Sequence, residues 1–187
     1  YSTPPNMGGI TLKEHWRWNS GGTHFLDVSC LIYDSSMELL GIVDYVNRSF
    51  GKSCVSHSGD IMDYDKQQGT HVLNVDTRKL PDSVHMLLIT LTGYHGRRLD
   101  GFQQVFLEMT DERTGMDLCK YHLEDQSRKE RSSCTAVLMC RLVRKPTTSG
   151  WDVQALGKLL PTGGAENYKP IKDYVSATFP KVASTAE

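Results

Sequence analysis

The sequence predicts an all-β domain of the sandwich or closed-barrel type, finished by one short helix, and three features carry that expectation. Several short segments alternate apolar and polar residues with a period of two, as in Leu26, Val28, Cys30 and Ile32 against Asp27 and Ser29. Gly, Pro, Asp and Asn punctuate these segments at short intervals. Helical spacing is confined to Ile171, Tyr174 and Val175, bracketed by Pro170 and Pro180.

Taken in order, residues 1–24 carry Pro4, Pro5, Trp16 and Trp18 and are expected to form a loop-rich N-terminal arm anchored by at least one tryptophan. Strands are expected from residue 25, over 39–46, and briefly over 54–57. The polar stretch 58–70, with Gly59 and Gly69 near its ends, is a loop by composition, after which His71, Leu73 and Val75 alternate back into a sheet. Residues 84–92 are almost continuously apolar and predict a central strand covered on both sides. An alternating strand over 103–110 turns through Asp111-Glu112-Arg113-Thr114-Gly115 into its antiparallel partner over 118–123. The charged segment 124–131 predicts a solvated loop or a short exposed helical turn, and 135–143 with 151–156 a last hairpin. The helix near residue 175 is expected to cap an open edge or end of the sheets.

A chain of 187 residues with 39% hydrophobic and 23% charged side chains suits one core. Twenty-one basic against twenty-two acidic residues leave a net charge of -1, which predicts no general attraction to nucleic acid. The apolar runs 84–91 and 136–140 are far shorter than the roughly 20 residues that span a bilayer, so no transmembrane insertion is expected, and residues 1–9 show no signal-peptide pattern. Five scattered cysteines without a CxxC pair point to buried small hydrophobes in a reducing compartment, hence a cytoplasmic location.

The segment with most chemistry is Asp60-Ile61-Met62-Asp63-Tyr64-Asp65. Carboxylates at short loop spacing converge on hard cations, and Asp27 in a nearby strand could complete the shell, so Asp27, Asp60, Asp63 and Asp65 are the candidate metal ligands. A plain solvated turn accounts for the same pattern. Cys54, His57, His71 and His85 lack a compact zinc spacing. His57 beside Asp60 is the one conceivable general base, but nothing supplies a substrate, and nucleotide-binding and metalloprotease motifs are absent. The expectation is a protein that is not an enzyme.

Ordered motifs then resemble the TerD family. They are Phe25-Leu26-Asp27-Val28-Ser29, the signature-like His57-Ser58-Gly59-Asp60, Leu80-Pro81-Asp82, Phe102-Gln103-Gln104-Val105, Tyr121-His122-Leu123 and Trp151-Asp152-Val153-Gln154-Ala155-Leu156-Gly157. The resemblance implies a two-sheet β-sandwich over residues 25–160, with a C-terminal extension over 161–187 that bears the helix. It also implies Ca2+ held in loops at one end, with Asp27 and Asp60 matching family acidic positions, and a non-enzymatic binding role in a stress-response or membrane-associated complex. Protein partners and peripheral membrane association follow from the same resemblance; a metal-independent scaffold subunit of a larger assembly is the alternative. The chain departs from the family where Phe25 replaces the first aspartate of the early pair and where the acidic stretch shrinks to Asp63-Tyr64-Asp65-Lys66-Gln67-Gln68-Gly69. Fewer anionic ligands predict weaker binding and fewer sites.

Overall fold

The computed structural model describes residues 8–19, 21–146 and 150–181. Two antiparallel sheets face each other across one apolar interior, a sandwich with a short C-terminal helix.

The five-stranded sheet is built from β2 (Leu26–Tyr33), β3 (Leu39–Val43), β8 (Met86–Gly93), β11 (Ala136–Arg144) and β12 (Trp151–Leu160), in the order β12-β11-β8-β2-β3. Every residue of β2 and β8 is buried, and strand alternation explains why both faces need cover. Leu26, Val28, Cys30, Ile32, Leu87, Ile89 and Leu91 enter the interior between the sheets. Leu31, Tyr33, Met86, Leu88, Ala136 and Leu138 belong to a second apolar cluster, closed by Ile171, Val175 and Phe179 of the C-terminal helical segment. That helix, Lys169–Thr178, is α2, with Pro170 in its first turn where no intrahelical N–H is needed. It therefore covers the outer face of the five-stranded sheet instead of capping an edge or end, because β2, β8 and β11 are apolar on both sides.

The seven-stranded sheet takes β1 (Ile10–Trp18), β4 (Ser49–Phe50), β5 (Val55–His57), β6 (Ile61–Asp63), β7 (Gln68–Val75), β9 (Phe102–Asp111) and β10 (Asp117–His122). Its order is β10-β9-β1-β7-β5-β4, with β6 also paired to β7. The expected N-terminal arm is corrected here: residues 10–18 form a central strand held on both sides by β7 and β9. Ile10, Leu12, Trp16 and Trp18 give β1 its apolar face, a period-two signal obscured by the polar residues around it. Part of the predicted loop 58–70 is likewise a short hairpin of β6 with β7.

The expected hairpins and the charged segment are present. Gly115, at φ 68, turns β9 into β10, and β11 pairs with β12, although residues 147–149 of that connection lie outside the described residues. The charged segment carries a single helical turn, α1 (Arg128–Arg131), opened by a capping box of Ser127 and Glu130. All five cysteines are free, and burial pushes the Cys30 thiol up to about 12, which makes it inert. Among the described residues, no helix is long and apolar enough to cross a membrane.

Candidate functional site

The site begins with a gap in one edge of β7. β5 pairs with Leu73–Val75 through Val55–His57, β6 pairs with Gln68–Thr70 through Ile61–Asp63, and His71 lies between the two pairings. The chain crosses that gap through Ser58-Gly59-Asp60. Ser58 N–H donates to the Val72 carbonyl at 2.9 Å, and Val72 N–H donates to Ser58 Oγ at 2.9 Å. Gly59 takes φ 75 and donates its N–H to His57 Nδ1 at 2.8 Å. An L side chain is disfavoured at that φ, so the signature is a turn built to bring Asp60 opposite His71.

His71 is fully buried, and its two ring nitrogens meet two carboxylates. Nδ1 lies 2.8 Å from Glu14 Oε2 and Nε2 lies 2.7 Å from Asp60 Oδ1. Glu14 is its direct cross-strand partner in β1. Two residues further along β1, Trp16 packs over both Gly69 and His71: a Cβ on Gly69 would fall 2.1 Å from the indole, and the indole and imidazole centroids are 4.8 Å apart. The Trp16 Nε1–H donates to the His24 carbonyl at 2.9 Å, which fixes the ring. Burial disfavours a charged His71, but the hydrogen bonds to Asp60 and Glu14 outweigh it and raise the imidazole to about 9. Burial in turn raises the Glu14 carboxyl, while His71 holds the more exposed Asp60 below the usual carboxylate range.

Asp27 completes the group from the other sheet. Ligand atoms of Asp27, Asp60 and His71 all lie within 4.8 Å of one another, the one such grouping of three or more among the described residues. Asp27 is only 3% exposed, and its Oδ2 is buried without a hydrogen-bond partner. Burial and the nearby Glu14 push its carboxyl up to about 7. A buried carboxylate oxygen without a donor is costly, and a bound cation is one way to compensate it.

Of the four candidate ligands, the structure brings Asp27 and Asp60 together and leaves Asp63 and Asp65 apart. Asp63 ends β6 and is engaged by Lys66, through its backbone N–H at 3.0 Å and its ammonium at 3.0 Å. Asp65 is exposed on the tight turn into β7. Neither carboxylate belongs to the grouping that Asp60 joins.

Glu14 and His71 were the residues hardest to recognise in the sequence. Each is a titratable residue on the apolar face of an alternating strand, Glu14 between Leu12 and Trp16 and His71 before Leu73 and Val75, and that misfit is the signal. His57 is also buried, 4.7 Å from the His71 ring, and burial lowers it to about 4. With Nδ1 taken by Gly59, it offers no accessible base to a substrate. Asp44, at the turn after β3, accepts the N–H groups of Val46 and Asn47 at 2.9 and 2.7 Å and the Tyr168 hydroxyl at 3.0 Å, so it serves the turn and the start of α2.

Comparison with known proteins agrees with this architecture. The sequence matches the profile of the TerD domain over residues 2–166. It is 27% identical over 132 residues to the tellurium resistance protein TerZ of Serratia marcescens, covering 71% of this chain and 64% of TerZ. The chain thus spans slightly less than two thirds of that relative. It is 28% identical over 165 residues to an uncharacterized protein, YceE, of Bacillus subtilis, covering 83% of each. Among solved structures, a protein of unknown function, SAV2460, superposes with a TM-score of 0.73 at 13% identity, over 89% of this chain and 97% of that one. A homologue of telluride resistance protein from Streptomyces coelicolor, SCO6318, superposes with a TM-score of 0.67 at 10% identity, over 84% and 92%. At those identities the two structures speak for the fold alone.

Proposed function

The chain belongs to the TerD family, and from that premise we propose that it is a non-enzymatic binding module that takes a divalent cation between its two sheets. Asp27, Asp60 and His71 would hold the ion, with Glu14 orienting the imidazole through Nδ1 and the ion taking the place of the proton between Nε2 and Asp60. The observation that carries this reading is the buried, unpartnered Oδ2 of Asp27 facing a second carboxylate and a histidine. A bound cation would neutralise the clustered carboxylates and tie β2 to the turn before β6. Calcium is the ion that the family resemblance suggests; two carboxylates fit it in part, and backbone carbonyls and water would have to complete the six to eight oxygens it prefers, roughly. Asp63 and Asp65 stand outside this shell. The tellurium resistance named for TerZ supports a stress-related role for this chain; a cytoplasmic location and membership of a protein complex are part of the same proposal.

Calorimetry of the metal-free protein with calcium tests the reading. Saturable uptake that disappears in Asp60→Asn is expected; no heat and no change in thermal midpoint at millimolar calcium would refute it.

A metal-independent scaffold is the second reading, favoured by the way His71 already bridges Glu14 and Asp60. It predicts that a chelator leaves both the fold and partner binding unchanged.

A further inference from the structure

In front of the carboxylates lies a small cavity of about 140 Å³, lined by Phe25, Asp27, Tyr45, Asp60 and Tyr94. That is several times the roughly 30 Å³ that one water occupies in the liquid. Three of the five lining residues are aromatic, and their rings form corners. The Phe25 and Tyr94 centroids are 5.9 Å apart at 81°, and those of Tyr45 and Tyr94 are 5.9 Å apart at 88°. We propose that this cavity is a receptor for a quaternary ammonium group, walled by Phe25, Tyr45 and Tyr94 and faced by the carboxylates of Asp27 and Asp60.

The chemistry of the walls selects the guest. Aromatic faces carry a negative quadrupole that attracts large, weakly hydrated cations, and three rings of differing orientation line this cavity. A small divalent ion gains little from them, since it needs oxygen donors in their place. Phe25 stands where the family resemblance places an aspartate, and its ring supplies one wall of the cavity. Asp27 adds a buried, unpartnered carboxylate oxygen, which answers the positive charge of the guest.

The walls are also held before a guest arrives. Phe25 precedes β2 and Tyr94 follows β8, and Tyr94 N–H donates to the Phe25 carbonyl at 3.1 Å. Tyr45 sits in the turn that Asp44 closes, and Arg48 Nε–H donates to the Tyr45 carbonyl at 3.1 Å. The Lys and Arg cation–π contacts among the described residues fall on Phe106, Phe179, Trp151 and Tyr174, while the Tyr94 ring is met by the imidazole of His95, with centroids 3.9 Å apart. Pre-organised walls reduce the ordering cost of binding.

The inference rests on the cation-binding reading of Asp27 and Asp60, but not on a metal being bound there. The test uses the full chain freed of metal, with choline as probe and its neutral isostere 3,3-dimethylbutan-1-ol as control, followed by calorimetry and by NMR of the ring protons. Saturable choline binding is expected, with the isostere at least about tenfold weaker and Tyr94→Leu or Tyr45→Leu weakening choline by about tenfold or more. Phe25→Asp should lose choline and bind calcium more tightly; circular dichroism of each variant shows whether the sandwich is retained. Phosphatidylcholine vesicles carry the same headgroup. Capture of choline without vesicles assigns a soluble amine, and capture of both, each lost in Tyr94→Leu, assigns the headgroup. Absence of saturable choline binding, equal binding of the isostere, or folded ring variants that bind choline as well as the wild type would overturn the proposal. Calcium uptake without choline binding removes the cavity proposal alone, and choline binding without calcium uptake removes the metal reading alone.

Discussion

The two sheets use their buried positions differently. The five-stranded sheet buries mainly apolar side chains on both faces, with Leu87, Ile89 and Leu91 on one side and Met86, Leu88 and α2 on the other, and contributes one carboxylate, Asp27 of β2, to the cluster. The seven-stranded sheet places Glu14 and His71 among its buried residues and leaves a gap at the edge of β7 through which Asp60 reaches them. Interior volume filled with hydrocarbon stabilises without directing chemistry. A buried, mutually paired cluster contributes less net stability but concentrates charge at one place in the interior. What the contrast teaches is that binding chemistry in this fold is concentrated where strand pairing is interrupted.

The contrast can be broken most severely at His71. His71→Leu strands Glu14 in the interior and is expected to cost about 3–5 kcal/mol, whereas Glu14→Leu combined with His71→Leu should recover most of the loss. Urea denaturation of the two variants checks this; a double variant no more stable than the single would show that the cluster is not a mutually compensating pair. On the other sheet, Ile171→Ala should cost about 2–3 kcal/mol by opening the contact of α2 with its outer face, with no effect on cation binding. Gly69→Ala is expected to cost about 1–3 kcal/mol, because the new methyl meets the Trp16 ring, and to perturb His71 through that ring.

Two smaller effects sharpen the comparison along β7. Just beyond its far end, Asp76 is held down to about 2 by Arg78 and Lys79, the opposite of what burial does to Asp27. A depressed folded-state pKa contributes stability above the ordinary value of 3.8, and that contribution is lost as pH falls from there through about 2. Asp76→Asn should therefore lower stability modestly throughout the range above about pH 4, since the ion pairs are largely exposed, and converge with the wild type as pH falls toward about 2, as thermal scans across pH would show. Asp63→Asn is expected to leave both the thermal midpoint and cation affinity unchanged, in contrast to Asp60→Asn. An equal loss of affinity in the two would place Asp63 in the ion's shell.

Much of this was legible residue by residue. The continuous apolar run of β8 announced a strand covered on both sides, and Pro170 with Ile171 and Val175 announced α2. β1 was concealed because its flanks carry glycines and prolines, and because Glu14 interrupts the apolar face that Leu12 and Trp16 define. The same interruption is the trace of the site, since a charged residue on an apolar face requires a buried partner. Its partner, His71, lies 57 residues away, and no local pattern connects the two.

By itself the sequence determined the strand periodicity, the all-β class, the family membership and the acidic positions Asp27 and Asp60. Those properties are local: period two, turn chemistry and short motifs are written within a few residues. Only the tertiary structure decided that β5 and β6 share one edge of β7, that Glu14 and His71 meet Asp60 there, that Asp63 and Asp65 do not, and that Phe25, Tyr45 and Tyr94 line an open cavity with two carboxylates. Each of these is a product of long-range register and sheet packing, where distant segments acquire a common environment only after the two sheets have closed on each other.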